Sequence, residues 1–520
     1  MNKYSPFNYV TAQYPQNPFN RRVNLRPAWP SNLGALIAGL LLPLAFAPFH
    51  IYLLSVLAPA FWLILLSDAS PQYGFWRGWL FGLGFFGIGI SWIYISLSEY
   101  GQANAVLAAI ITALLIMVLA LFPAVLGYVL TRFFPANTVS KYLLAFPALW
   151  VLLEWVRTWF FSGFPWLFLG YSQIASPLSG FAPLVGVFGV SFAVAVSSGV
   201  IVVAIMARKH FRLALSVIVL LLALWIGGEV LDSIRWTHPS GNPVKVTLVQ
   251  GNVAQQLKWR PEQAIQSLLL YKKLTLSNLE QRIVIWPEAA ITFYQTQVSD
   301  FLAEMDQLAK SQQSTLISGI PIALDDRYYN GMLALGQGSG VYLKRHLVPF
   351  GEYMPFRSIL RWLKNYVIIP MSDFDSGPKH QALLTANGIP IATFICYEIA
   401  YPTLVLNQLP KGQLLITLSD DSWFGKSLAP AQHLEILQMR ALETGRFALM
   451  STNDGITAIV TPKGKIIAAA PPFREFILTG KVQPMSGSTP WMQIGIYPIL
   501  VLMGIFLLYA YFNQRKMRHR

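Results

Sequence analysis

The chain has 520 residues, of which 54% are hydrophobic and only 12% charged, and its mean hydropathy is +0.49. Soluble domains carry roughly twice that charged fraction, so an ordinary soluble protein is excluded and much of the chain belongs in lipid. The net charge of +15 invites a nucleic-acid partner, but the placement of the charges excludes one: fourteen Lys and Arg, with Asp68 as the single acid, fall in 1–30, 67–77, 131–141, 208–212 and 513–520 beside apolar runs, whereas 213–512 holds 23 basic and 20 acidic residues.

Residues 1–30 are polar and basic and lack an apolar h-region, so they are expected to form a cytoplasmic tail and not a cleaved signal peptide. Apolar runs follow at 33–49, 51–66, 78–97, 103–130, 142–156, 181–207 and 213–228, and a last one stands apart at 491–512. A membrane helix needs about 20 residues. Most of the runs fit; the first two are short and read as a broken hairpin or as tilted spans. The expectation is about eight transmembrane helices: seven over 31–230, then one over 490–512 ahead of a basic cytoplasmic tail at 513–520. With the N-terminus inside, all five basic segments are cytoplasmic and the outside loops carry only Arg157, a bias of fourteen to one. The long segment before the last span is then outside, which in a bacterial inner membrane means the periplasm.

On the fifth apolar run Glu154 and Arg157 share a helix face. Ionisable residues at membrane depth are functional candidates, and a structural ion pair is the equal alternative. FFSGFPWLFLG, which follows, reads as a re-entrant or interfacial loop able to cradle lipid.

From 235 to 485 the pattern changes to alternating strands and helices, and a layered α/β domain follows. Strands are expected at 244–250, 283–286, 315–319, 328–335, 340–344, 391–395, 414–418, 447–451, 456–460 and 465–469, and helices at 261–282, 298–312 and 429–443. Gly336, Gly338 and Gly340 belong to a hairpin turn with no following helix, so they are not a phosphate loop. Seven histidines and one cysteine, with neither HExxH nor CxxC, give no basis for a metal site, and no cofactor is expected.

The one cysteine, Cys396, ends the apolar strand of IPIATFICYE. An isolated Cys is more often a small buried hydrophobe, but a thiol at a strand end is held rigidly and is reachable from a cleft, as a nucleophile must be. Glu288 closes another strand in RIVIWPEAA, and Lys344 a third in GVYLKRHLVPFGEYMP. Singly these are ordinary surface charges. Together they supply a nucleophile, a base and a cation for a developing oxyanion.

WPE, the Lys of YLKRHLVPFGEYMP and ICYE, in that order, resemble the three catalytic motifs of the nitrilase superfamily, and specifically its membrane-embedded branch, the apolipoprotein N-acyltransferases. EWVRTWFFSGFPW, QGNVAQQLKW, SDDSWFG, QMRALETGR and STNDGITA extend the resemblance over most of the chain; Asp420 stands where that family usually has Asn. The resemblance implies an αββα sandwich for 235–485 and a Glu288, Lys344, Cys396 triad with Glu352 as a fourth essential residue. By the same resemblance Trp259 lines the entrance; Tyr397, Glu398 and Trp423 are further candidate substrate contacts, and Glu398 is read equally as support beside the nucleophile or as a helix cap or salt-bridge partner. In YMPFRSILRWLKNYVIIP, Phe356, Ile359, Leu360, Leu363 and Val367 recur near helical spacing with Trp362 interleaved, a stripe read either as core or as a membrane-dipping lid in which Phe356 and Trp362 would meet substrate.

The function implied is acyl transfer from a phospholipid, phosphatidylethanolamine by the family's pattern, to the amine of a diacylglyceryl-cysteine on an apolipoprotein through a Cys396 thioester. Two other classes stay open: a membrane-tethered carbon-nitrogen hydrolase that uses water as acceptor, and a non-catalytic lipid or lipoprotein binder, against which the intact set of motifs counts.

Overall fold

The computed structural model describes residues 28–101, 103–278, 282–353 and 373–518. Its first part is helical: α1 (Ala28–Leu41), α2 (Leu54–Leu66), α3 (Pro71–Gly89), the one-turn α4 (Trp92–Ile95), α5 (Ala105–Phe133), α6 (Phe146–Val156), α7 (Ala182–Met206) and α8 (Phe211–Asp232). An α/β part follows, with helices α9 (Gln255–Lys258), α10 (Pro261–Leu276), α11 (Ser299–Ser311), α12 (Pro402–Leu406) and α13 (Ala429–Thr444). The short α14 (Pro490–Ile494) leads back to a final long helix, α15 (Tyr497–Arg518).

Among the described residues four helices are long and apolar enough to cross a membrane, at Ala105–Phe133, Pro177–Met206, Phe211–Asp232 and Tyr497–Met517. The α3 segment and the turn that follows it make a fifth, bent by 51°. Of the eight spans expected, not all are full-length helices among the described residues. The first two runs give the short α1 and α2, as expected, with Pro43 at the start of the tight turn Leu42–Ala45 that ends α1, while α6 continues without a break from a π-helical turn at Lys141–Ala145. The membrane-type helices pack through small residues. Gly74, Gly78 and Gly82 line up on α3, where an added Cβ would lie 2.6 Å from Gly127 O, 2.2 Å from Pro123 O and 2.6 Å from Ala120 Cα of α5. Without water there is little hydrophobic drive between helices, so close backbone approach supplies the cohesion.

The α/β part holds two large sheets. The six-stranded sheet runs β14 (Phe476–Val482), β2 (Val244–Gln250), β3 (Ile283–Ile285), β4 (Thr315–Leu324), β5 (Arg327–Gly336), β7 (Val341–Leu343). The seven-stranded sheet runs β13 (Ile466–Ala469), β12 (Ala458–Val460), β11 (Ala448–Thr452), β10 (Leu414–Ser419), β9 (Ile389–Ile395), β8 (Leu384–Ala386), β6 (Gly338–Ser339). A two-stranded ribbon, β1 (Thr237–Pro239) with β15 (Met485–Gly487), ties the two ends of this part together. β2, β3 and β4 are parallel, as are β9, β10 and β11, so β3, β9 and β10 send their C-terminal ends to one edge.

One core lies between the sheets, from Val246, Ile285 and Met332 to Ile391, Ile416 and Leu449. A second lies under the outer helices, where Tyr271 and Met305 meet Trp286 and Leu316. The third continues from the far face of the seven-stranded sheet through α13 into the membrane helices. α13 is thus sandwiched between the two halves.

β4 extends past its expected end to Leu324, because Ile320 and Ile322 stay buried and the antiparallel ladder with β5 continues to Leu324 opposite Arg327. The expected β5–β7 hairpin forms, but its tip crosses over: β6 leaves to pair with β8 in the other sheet.

Candidate active site

Cys396, Glu288 and Lys344 each follow the end of a strand at the edge between the two sheets. The WPE turn after β3 fits only because Gly319 of β4 has no side chain, since a Cβ there would lie 2.7 Å from Glu288 Cα. Lys344 is held in line by its own amide, which donates to Asn330 O on β5 at 2.9 Å. Cys396 takes a left-handed φ of 54°, uncommon for a residue with a Cβ, and so turns sharply out of β9.

The side chains form a buried cluster. Lys344 Nζ lies 2.9 Å from Glu352 Oε1 and 3.4 Å from Glu288 Oε1. Asn330 Nδ2 donates to both of those oxygens at 2.7 Å, which locks the two carboxylates around one amide. Glu288 Oε2 accepts the backbone amide of Asp420 at 2.9 Å, and Glu352 Oε2 that of Val348 at 2.9 Å. Sequence reasoning missed Asn330. A polar residue inside an otherwise apolar strand was its only signal.

Electrostatics follow from burial and these neighbours. Desolvation pushes the Glu288 carboxyl up and Glu352 adds to this, while Lys344 and the Asn330 bond oppose it. Burial alone would lower the Lys344 ammonium, but Glu288, Glu352 and the Cys396 sulfur outweigh it and hold its proton firmly. The Cys396 thiol is raised well above its usual range, first by burial and then by Glu288, with Lys344 pulling the other way. The resting arrangement is therefore a protonated thiol beside a carboxyl of raised affinity for protons and a fixed cation. A proton can pass from sulfur to Glu288 while Lys344 offsets the charge that develops.

Glu398 is fully buried and its carboxylate is filled: Oε2 accepts from Ile395 N and Tyr342 OH, both at 2.9 Å, and Oε1 from Arg345 N at 2.7 Å and His346 N at 3.1 Å. It joins the strand end bearing Cys396 to the one bearing Lys344. Tyr397 is half-buried; its hydroxyl donates to Gly163 O at 2.8 Å and bonds to Tyr401 OH. Gly163 belongs to the loop expected to cradle lipid, whose Ser162 O also accepts from His346 Nε2 at 2.9 Å, while Trp159, Phe160 and Phe161 stay exposed. This loop thus reaches the site from the helical half. Glu154 accepts from Trp150 Nε1 and Leu169 N, and Arg157 donates to Trp166 O between the rings of Phe86 and Phe168.

Trp259 follows Lys258, which bonds the Glu288 turn, and Trp423 bonds Gln255 of the same segment. Trp259 is half-buried and its indole N–H has no hydrogen-bond partner among the described residues. With its amide oriented to satisfy both neighbours, Gln255 accepts from Trp423 Nε1 at 3.2 Å and donates to Asp420 Oδ2 at 2.9 Å. Asp420 forms a buried ion pair with Lys258 at 2.6 Å, and Lys258 also donates to Glu288 O at 3.2 Å. In this chain, then, Asp420 is the anchor that ties the segment bearing Trp259 to the Glu288 turn. Phe356 and Trp362 lie outside the described residues.

Two packed sheets with a Glu, Lys and Cys cluster at their shared edge define the class, and residues 245–490 match the carbon-nitrogen hydrolase family. Among solved structures, a CN-hydrolase superfamily protein of Xanthomonas campestris with an arsenic adduct in its active site aligns over 51% of this chain and 97% of its own, at 16% identity and a TM-score of 0.35. Residues 38–200 match the apolipoprotein N-acyltransferase N-terminal domain. The apolipoprotein N-acyltransferase of Coxiella burnetii is 48% identical over 480 residues, covering 92% of this chain and 99% of that protein. Its counterpart in Azotobacter vinelandii is 44% identical over 500 residues, covering 95% and 97%. The chain belongs to the apolipoprotein N-acyltransferase family.

Proposed function

We propose that this membrane protein moves a fatty acyl chain from a phospholipid to the terminal amine of a diacylglyceryl-cysteine on an apolipoprotein, in two steps through Cys396. In the first, the thiol proton passes to Glu288 as sulfur attacks the ester carbonyl. Lys344 stabilises the oxyanion, and the C–O bond breaks to give a thioester and a lysophospholipid that takes the proton from Glu288. In the second, the amine attacks the thioester, Glu288 receives an amine proton, and the thiolate leaves and is reprotonated. Glu352, sharing Lys344 and Asn330 with Glu288, keeps the cation in place. Trp259, Tyr397 and Trp423 border the site and are assigned to substrate contact. Glu398 fits the supporting role better, since every carboxylate oxygen is already bonded within the protein.

The observation that carries this reading is a carbon-nitrogen hydrolase cluster built directly onto lipid-facing helices, in a chain aligned along nearly its full length with acyltransferases. Phosphatidylethanolamine is the proposed donor. For topology we take eight crossings over 31–230 and 490–512, with α1, α2 and α6 as short or tilted ones, both tails in the cytoplasm and 235–485 in the periplasm of an inner membrane. Fourteen cationic side chains against Arg157 support that orientation. With phosphatidylethanolamine vesicles, product formation should depend on a diacylglyceryl-cysteine peptide. Rapid fatty acid release that ignores the peptide would instead identify a hydrolase.

A further inference from the structure

The left-handed turn at Cys396 is braced by contacts to the backbone before and after it. The preceding amide, Ile395 N, is gripped by Glu398 Oε2 at 2.9 Å. The carbonyl of Cys396 itself meets His433 Nε2, from α13, at 3.2 Å. His433 is fully buried, and its other ring nitrogen lies 3.2 Å from Asp421 Oδ1. Asp421 and the Cys396 carbonyl thus hold the imidazole from its two ends. Asp421 Oδ1 also accepts the Ser419 hydroxyl at 2.6 Å, from the end of β10, the strand beside β9. The path runs from Ser419 to Asp421 to His433 and ends on the carbonyl of the cysteine. None of these three side chains has a part in the two-step transfer.

We propose that His433 and Asp421, with Ser419 bonded to Asp421, are positioning residues that fix the backbone turn of Cys396, so that sulfur meets the donor carbonyl in line. A non-glycine residue at positive φ persists only where its surroundings over-determine it. Here the determinant on the carbonyl side comes from α13, the helix wedged against the membrane half through Gln432 and Glu435. The nucleophile is thus aimed from the element that docks the α/β part on the membrane helices. This inference rests on Cys396 being the acylated residue.

The test is the rate of acyl-adduct formation on the full chain in phosphatidylethanolamine vesicles, followed by intact mass while donor is titrated. His433→Leu should lower the limiting rate roughly 100-fold, with donor half-saturation and melting temperature unchanged. His433→Gln can offer an amide N–H to the same carbonyl and should recover about tenfold of that loss, and Asp421→Asn should cost about tenfold. A Leu variant acylating at the wild-type rate, a loss confined to half-saturation, or a Gln variant no better than Leu would overturn the proposal. If His433→Leu does not fold, the Gln and Asn variants decide, and wild-type rates in both would overturn it. Acyl transfer surviving in Cys396→Ala would sink the thiol chemistry itself, and is distinguishable because it leaves these three variants without any effect on transfer.

Discussion

Of the 22 residues of α8, only Val217 and Gly228 are buried, while Leu222, Ile226 and Val230 stand more than half exposed. α13 is the reverse: Gln432, His433, Glu435, Gln438, Arg440 and Glu443 are all buried in a helix of 16 residues. In water both would be unstable arrangements. α8 faces lipid, where an exposed leucine costs nothing, and α13 lies where two halves of one chain meet, so each polar group must find a partner. Most do. Gln432 accepts from Trp92 Nε1 and Trp166 Nε1 and donates to Gly89 O. Glu435 accepts from Ala47 N, and Glu443 from Val187 N, an amide freed by the break in α7 at Gly186. Burial raises both of these carboxyls to about 7. In a membrane protein, hydropathy reports which solvent a helix meets, and polar pairing reports where the protein holds itself together.

The largest effects should come from the cluster that this interface supports. Glu288→Gln and Lys344→Met should fold normally yet form acyl adduct slower by roughly three or more orders of magnitude, measured by single-turnover mass spectrometry, as residues acting together do. A modest loss in either would separate that residue from the chemistry.

The α13 and α8 contrast predicts a difference in stability. Gln432→Leu strands two buried indole N–H groups, at about 1–3 kcal/mol each, and should visibly lower the melting temperature in detergent. Leu222→Ala on the lipid face should change stability by only about 0.5 kcal/mol. Equal effects would mean that α13 is not the stabilising seam.

The smallest expected effect is a shift in pH dependence. The Asn330 bond opposes the upward push on Glu288, so Asn330→Ala should raise that carboxyl further and keep it protonated to higher pH. Adduct formation should drop several-fold at about pH 6 and return toward wild type at about pH 8, as deprotonated Glu288 is restored. A shift of the acid limb the other way would exclude Glu288 as the group observed.

The triad positions were legible because strand ends, an adjacent proline and a single thiol leave a local trace at Glu288, Lys344 and Cys396. The chain's partners for them were not. Asn330, Lys258 and His433 are ordinary polar residues inside a strand or helix, and only the tertiary fold brings them to the cluster. β14 was missed for a related reason: Gly480 and Lys481 interrupt the apolar alternation, and the strand is fixed by its long-range ladder with β2. Hydropathy marked the apolar runs, and it does not register Pro43, which ends α1 in a tight turn, or the π-helical turn at Lys141–Ala145 that leads into α6.

The central claim is a covalent acyl group on Cys396, and intact-protein mass spectrometry with peptide mapping measures it directly. Incubated with phosphatidylethanolamine and no amine acceptor, the wild-type protein should gain the mass of one fatty acyl chain at Cys396, lose it to hydroxylamine, and lose it to a diacylglyceryl-cysteine peptide with matching gain of an amide-linked chain. An unmodified Cys396 under conditions where the peptide is nonetheless N-acylated would contradict the thioester route.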